Sequence, residues 1–512
     1  MKNFLATDWR RTLLLLFAAV IISLALWRLG AASDEVIVTP VEIEGAPATI
    51  FKPAETALGP VVVIAHGFAG SQQLMQSFAY AFARNGYTAV TFDFPGHGRN
   101  RDPMRGSITE ESGATRNLVA ATARIAAQAR EFGDGRIAVV GHSMSSDIVV
   151  RFAQETPDVG ATIAVSMFSP AVAATSPRNL LVIVGEWEGM LTREALRATE
   201  LSIAPAKAEA GVTYGDFALG TARRAAISPH VEHASVLFSE TSLREAVEWL
   251  DKSFSVTRTT PALIPHRGGW IVLLLAGVVL LARSLAPFLP RVATPAVGAN
   301  LPWRRLWIPL LAPMILTPIV LRVTPTDFLP VLVADYLAAH FLVYGLLTAA
   351  FLLRALRGRP SEWLPASPLR FMAALVLLVA FNFVALAWPI DVFLTSYAPG
   401  AERALLICAM FAGALPFFLA DEWMTRGPHA ARGAYAASKV SFIASLGFAI
   451  ALDFQRLFFL AIITPFILAY FVVYGLISRW TYASTGHPLV AGLANALAVA
   501  WAIAATFPLL SR

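Results

Sequence analysis

From Trp270 to the C-terminus, apolar runs long enough to cross a bilayer alternate with short basic loops. A backbone inside lipid has no water to bond, so such runs must become helices that satisfy their own N–H and C=O groups. The runs fall near Trp270–Leu289, Leu306–Val323, Phe328–Leu353, Phe371–Trp388, Ala404–Ala420, Val440–Ala451, Leu457–Ser478 and Pro488–Leu510. A further run, Thr12–Leu29, follows the basic Lys2, Arg10 and Arg11. It is long for a signal peptide's apolar region and reads as an uncleaved anchor, although Ala31-Ala32-Ser33 would suit a cleavage site. The total is about nine spans.

With nine spans, every basic loop falls on the side of Arg10 and Arg11. These loops carry Arg291/Arg304/Arg305, Arg354/Arg357/Arg359/Arg370, Arg426/Arg432/Lys439 and Arg479. That side is cytoplasmic by the positive-inside rule. The expected location is therefore the cytoplasmic (inner) membrane, multi-pass, with the region after the anchor outside the cytoplasm.

That region differs in kind from the rest. The whole chain of 512 residues is 56% hydrophobic and 14% charged, but residues from about 31 to 260 have ordinary soluble composition. The expected organisation is an anchor (1–30), a soluble domain (31–255), a polar linker (256–268) and a multi-span helical domain (269–512). The net charge of +6 comes from arginines in short loops, so no nucleic-acid partner is expected. The single cysteine, Cys408, excludes an intrachain disulfide and a cysteine-rich metal site.

Strand and helix alternate through the soluble region. Glu35–Glu44 and Ala48–Lys52 read as an antiparallel pair around Gly45-Ala46-Pro47. Val61–Ala65, Tyr87–Phe94, the run from Ile137, Ala161–Phe168 and Leu180–Val184 read as buried strands. Ser71–Asn85, Glu110–Phe132, Met144–Glu155, Thr192–Glu200 and Ser242–Phe254 read as helices between or after them. The alternation implies an α/β fold with a doubly wound, mostly parallel sheet. The strand Ile137–Val140 runs into Gly141-His142-Ser143-Met144-Ser145, the form of a G-x-S-x-G nucleophile elbow. A serine on such a turn stands above the sheet with its hydroxyl exposed. Gly141 meets the crowding there; Ser145 replaces the usual second glycine.

With His66-Gly67-Phe68 after the third strand and Asp93-Phe94-Pro95-Gly96-His97-Gly98 after the fourth, this elbow resembles the α/β-hydrolase family over residues of about 35 to 255. The resemblance implies an α/β-hydrolase fold and a triad in the order Ser, Asp/Glu, His. Ser143 is then the nucleophile. The acid is Glu188 in Gly185-Glu186-Trp187-Glu188, with Glu186 as the alternative. The base is His233 in Ser228-Pro229-His230-Val231-Glu232-His233, with His230 as the alternative. The oxyanion hole would use the backbone N–H groups of Met144 and Phe68, and Phe68 would wall the acyl pocket. Between Gly189 and Ala225 lies a short insertion in which Tyr214 and Phe217 could line the site.

The implied reaction is hydrolysis of a small acyl ester or lipid substrate through an acyl-enzyme, needing no metal or organic cofactor. Membrane lipid is the expected partner. Acyl transfer between lipids uses the same intermediate, and a transporter or scaffold with a binding-only pseudo-hydrolase domain is the reading from another class. No triad member lies beyond His233, so residues after about Pro261 are expected to be dispensable for small soluble esters. In the helical part, Asp335 and His340 within one run, and Asp453 with Arg456 at a run's end, are ionisable residues where charge is costly. Asp421-Glu422-Trp423-Met424-Thr425-Arg426 is similar to the Glu-Glu-x-x-x-Arg motif of the membrane-embedded CAAX-processing proteases, and Thr485-Gly486-His487-Pro488 with Leu493-Ala494-Asn495 is faintly similar to their last motif, with Asn495 where a histidine is expected. Asp421 for the first Glu and the missing histidines imply a descendant without that activity.

Overall fold

The computed structural model describes residues 2–54, 58–106, 111–357, 365 and 367–511. Glu110, the expected start of one helix, and Arg359, in one basic loop, lie outside the described residues. The chain divides into two compact units. One comprises Met1–Ile22, Leu275–Trp388 and Pro399–Ala505; the other comprises Ser23–Leu274, Pro389–Ala398 and Thr506–Arg512.

The second unit has a nine-stranded sheet. In chain order its strands are β1 (Val36–Ile43), β2 (Ala46–Pro53), β3 (Val61–Ala65), β4 (Thr88–Phe92), β5 (Ile137–His142), β6 (Val159–Val165), β7 (Leu180–Gly185), β8 (Thr213–Tyr214) and β9 (Arg223–Ser228). Their spatial order is β1-β2-β4-β3-β5-β6-β7-β9-β8. The six from β4 to β9 are parallel, with antiparallel β1, β2 and β8 at the edges. Helix α1 (Lys2–Ala31) precedes the sheet. The helices α2 (Gln76–Arg84), α3 (Arg116–Ala129), α4 (Met144–Glu155), α5 (Gly189–Glu200) and α6 (Glu240–Ser253) are threaded among or after the strands. This is the α/β-hydrolase fold.

The central strands are continuous apolar runs because both faces are covered; every residue of β3, β4 and β5 is buried. Register decides where the site lies. Ala65 pairs with Phe92 on one side and Gly141 on the other, so the carboxyl ends of β3, β4 and β5 are level. The three loops carrying the sequence motifs therefore emerge together, at the strand ends where open α/β sheets bind ligands.

One strand escapes the pattern: β9 opens with Arg223-Arg224, yet Arg223 is wholly buried. The polar linker is pinned to this unit. Arg258 donates to both carboxylate oxygens of Asp251 and to the carbonyl of Asn85, and Asn85 and Leu263 exchange two hydrogen bonds.

The other unit is helical. It holds the first part of α1, most of α7 (Arg267–Leu285), then α8 (Trp303–Arg322), α9 (Ala334–Ala355) and α10 (Pro368–Phe381). The short helix α11 (Trp388–Phe393) leads away from it; α12 (Ala404–Thr425), α13 (Ala434–Leu452), α14 (Phe454–Thr485) and α15 (Pro488–Thr506) follow. Among the described residues, nine helices are long and apolar enough to cross a membrane, including Trp9–Ala31.

Three expectations change here. The last apolar helix ends at Thr506 rather than Leu510. Helix α9 begins at Ala334, and Asp335 is no mid-span charge: in the first turn it accepts hydrogen bonds from the N–H groups of Phe328 and Tyr336. Arg426 and Lys439 are not free loop cations. Arg426 pairs with Glu422 at 2.9 Å and Lys439 with Asp421, all four largely buried. Ser438 also donates to Asp421 and Ser478 to Glu422. Buried charges persist only when paired and hydrogen-bonded in this way.

Candidate active site

Ser143 lies between β5 and α4, capping the helix, at φ 55° and ψ −116°. That conformation is costly for a non-glycine residue and is held by its surroundings. A side chain at Gly141 would collide with the backbone of Ser145, so only glycine fits there. Ser145 explains its own departure from the motif. Its buried hydroxyl accepts from the N–H of His142 at 2.8 Å and lies 2.8 Å from the carbonyl of Ala65, which ties the elbow to β3. Ser143 N–H donates to Val165 at 2.9 Å, tying the elbow to β6.

The hydroxyl of Ser143 lies 2.9 Å from Nε2 of His233, and Nδ1 of His233 lies 2.6 Å from Oε1 of Glu188. Glu188 is nearly buried. Its second oxygen accepts from the N–H of Gly185 at 2.7 Å and from the Ser166 hydroxyl at 2.8 Å. With both oxygens engaged, the carboxylate fixes His233 as the Nδ1–H tautomer and leaves Nε2 facing the serine. Ser166, which the sequence did not single out, is thus a positioning residue at the end of β6. The rivals form a separate pair on the rim: Nδ1 of His230 lies 3.3 Å from Glu186, and both are exposed.

The Gly67-Phe68 loop runs beside the elbow; a Cβ on Gly67 would lie 3.1 Å from that of Ser143. Met144 starts α4, where first-turn N–H groups have no partner within the helix. His66 holds this loop. Its Nε2 accepts from Phe94 N–H at 3.1 Å, and its Nδ1 donates to Gly67 at 2.8 Å.

His142 packs 4.9 Å from the ring of His233 and donates from Nε2 to the His233 carbonyl at 3.0 Å. Burial, reinforced by the neighbouring His233, pushes its pKa down to about 3. The folded protein therefore keeps His142 neutral, whereas the unfolded chain takes up a proton below about 6.5. Below that value the unfolded state binds more protons, so stability falls as pH drops toward 3. One such group contributes a loss of about 2 kcal/mol between neutrality and pH ~5. Melting followed by tryptophan fluorescence should show a lower midpoint at the acidic value. A His142→Gln variant should show a smaller difference; an equal one would refute this role.

Tyr214 lies in the edge strand β8, and Phe217 packs on Trp249 with ring centroids 4.7 Å apart, in the hydrophobic core rather than the site. Among the described residues no group of three or more His, Cys, Asp or Glu could hold a metal ion.

Sheet order and elbow define the α/β-hydrolase fold, on which Ser143, His233 and Glu188 line up in one hydrogen-bonded relay. Residues 58–207 match the model of a family described as serine aminopeptidase, S33. Similar solved structures include a Thermus thermophilus protein, 16% identical over 43% of this chain and 99% of that one, with a TM-score of 0.31. An epoxide hydrolase from Vigna radiata is 24% identical over 27% of this chain and 40% of its own, with a TM-score of 0.22. A dienelactone hydrolase from Anabaena variabilis is 17% identical over 42% and 97%, with a TM-score of 0.29. No curated protein matches this chain.

Proposed function

We propose that this protein is a membrane-tethered serine hydrolase that cleaves acyl esters through Ser143, His233 and Glu188. The observation that carries this reading is the unbroken relay from the Ser143 hydroxyl through His233 to a carboxylate whose second oxygen is itself held. A binding module has no need of such a relay.

In the first half-reaction His233 Nε2 takes the Ser143 proton as Oγ attacks the ester carbonyl. The N–H groups of Met144 and Phe68 receive the developing oxyanion. The bond to the alcohol oxygen breaks, and His233 delivers the proton to it. Water, deprotonated by His233, then attacks the acyl-serine, releasing the acid and restoring Ser143. The chemistry uses only protein groups and water. The test is labelling with a fluorophosphonate probe: the adduct should map to Ser143 and vanish in Ser143→Ala. An adduct elsewhere would sink the assignment.

The nine apolar helices support a multi-pass membrane location. Basic residues before the first span and in alternate loops support an extracytoplasmic hydrolase domain in the cytoplasmic membrane. Arg426 and Lys439, paired internally, add little to that argument, but Arg291, Arg304, Arg305 and Arg357 remain. A phosphatase reporter active only outside the cytoplasm should be on when fused near Thr260 and off near Arg357; the reverse would refute the orientation. The carboxylates of Asp421 and Glu422 are spent on internal ion pairs, which supports reading the helical part as a frame without protease chemistry.

A further inference from the structure

The unit that holds the relay includes two short stretches from far along the chain. Beyond α15 the chain becomes extended. Leu509 N–H donates to Gly96 at 2.9 Å, Met104 N–H donates to Leu509 at 2.8 Å, and Ser511 N–H donates to Met104 at 2.9 Å. This brings the ring of Phe507, nearly buried, edge-on to Phe68 with centroids 6.0 Å apart. A side chain at Gly96 would come within 2.5 Å of the Leu509 carbonyl, so the loop after β4 is shaped around this strand.

The second stretch, Pro389–Ala398, takes in most of α11 and the residues after it. Ser396 N–H donates to the Ser71 hydroxyl at 2.7 Å, and Thr395 Oγ1 lies 3.1 Å from it. Asp391 meets Arg99 at 2.7 Å. Ser71 closes the loop that begins at His66, so the Phe68 loop is gripped at its tip by one stretch and at its end by the other.

Both stretches are direct continuations of apolar helices. Phe507 is one residue beyond Thr506, within about 4 Å of chain, and Leu394 is one residue beyond Phe393. Counting crossings, the segments after the first, fifth and ninth spans emerge on one side of a bilayer. These are the hydrolase domain, Leu394–Ala398 and Phe507–Ser511. Independently, Phe168 and Trp187 in the loops after β6 and β7, and Met190 in the first turn of α5, are each more than half accessible and follow the carboxyl ends of those strands, the edge that also carries Ser143 and Glu188. Large exposed apolar side chains at that edge suit a lipid-facing rim, with Trp suited to the interface.

We propose, resting on the serine-hydrolase reading above, that the substrates are acyl esters of bilayer lipids. Phe507 is the specificity-determining wall of the acyl site, and Phe168, Trp187 and Met190 meet the lipid surface. The lipid's ester carbonyl reaches Ser143 with its acyl chain along Phe507 and Phe68. Ser143 takes the acyl group, the C–O bond breaks, and the lysolipid alcohol leaves with the proton carried by His233. Water then releases the fatty acid.

The test uses the full chain in vesicles of palmitoyl-oleoyl phosphatidylethanolamine and phosphatidylglycerol doped with diacylglycerol. Fatty-acid release is compared with hydrolysis of p-nitrophenyl butyrate, and fluorophosphonate labelling of Ser143 is measured in every variant. Expected are release of fatty acid from vesicle lipid and, in Phe507→Ala, at least a tenfold fall in the ratio of lipid to soluble-ester turnover, mainly through KM. Phe507→Leu should restore most of it. Trp187→Ser should lower the same ratio, which keeps the proposal falsifiable if Phe507→Ala fails to fold. Labelled Ser143 with no release from any of the three lipids overturns the proposal. So does an equal loss on both substrates in Phe507→Ala together with an unchanged ratio in Trp187→Ser. Absence of labelling in the wild type refutes the serine-hydrolase reading itself.

Discussion

Ser143→Ala is expected to lower the turnover number by about a millionfold, the loss seen when a triad nucleophile is removed. The fold should not suffer. The Ser143 side chain has its hydrogen bond to His233, but its backbone is held by Val165 and the elbow, not by the hydroxyl. Ser143→Gly sharpens the point. A residue at φ 55° and ψ −116° carries strain of about 1–3 kcal/mol, and glycine adopts positive φ without it. The glycine variant should therefore be inactive yet melt a few degrees higher than Ser143→Ala, as ~1 kcal/mol shifts a domain of this size by about 2–4 °C. Calorimetry on the two inactive variants checks this; a lower midpoint for the glycine form would show that the elbow is unstrained.

The second large effect separates two carboxylates only two residues apart. Glu188→Gln should reduce the turnover number by about 10⁴, because an amide cannot hold the His233 tautomer that receives the serine proton. Glu186→Gln and His230→Ala remove an exposed pair and should leave turnover within a factor of about two, as expected for surface ion pairs. Steady-state kinetics on one soluble ester decides. A large loss in Glu186→Gln with activity kept in Glu188→Gln would transfer the acid role to the rim.

The contrast between these carboxylates shows what a linear chain can and cannot reveal. Val61–Ala65 and Ile137–Val140 are legible because a strand buried on both faces must be an apolar run, and Gly141 before Ser143 because the turn crowds its neighbours. Glu186 and Glu188 share one loop and one chemistry; only the burial of Glu188 against Ser166 and Gly185 separates them. Ser166 itself carries no local signal. The strand β9 is hidden by Arg223-Arg224, since period and polarity both argue against a buried strand until Arg223 is seen inside. The end of the last helix is hidden for the opposite reason. Phe507-Pro508-Leu509-Leu510 is as apolar as the helix before it, and only Pro508, which disfavours helix at the residue before it, hinted at a stop.

The strand that carries Leu509 also bears on the order in which the protein is made. The sheet, elbow and relay come from the first half of the chain and leave the ribosome early. The stretch that braces Gly96 and Met104 is translated later, after the nine apolar helices of the described residues. A nascent chain would thus carry Ser143 and its relay before Phe507 could pack beside Phe68. On the proposed reading, lipid cleavage would begin only once Phe507–Ser511 have followed α15, so a product stalled or clipped before them would act poorly on lipid.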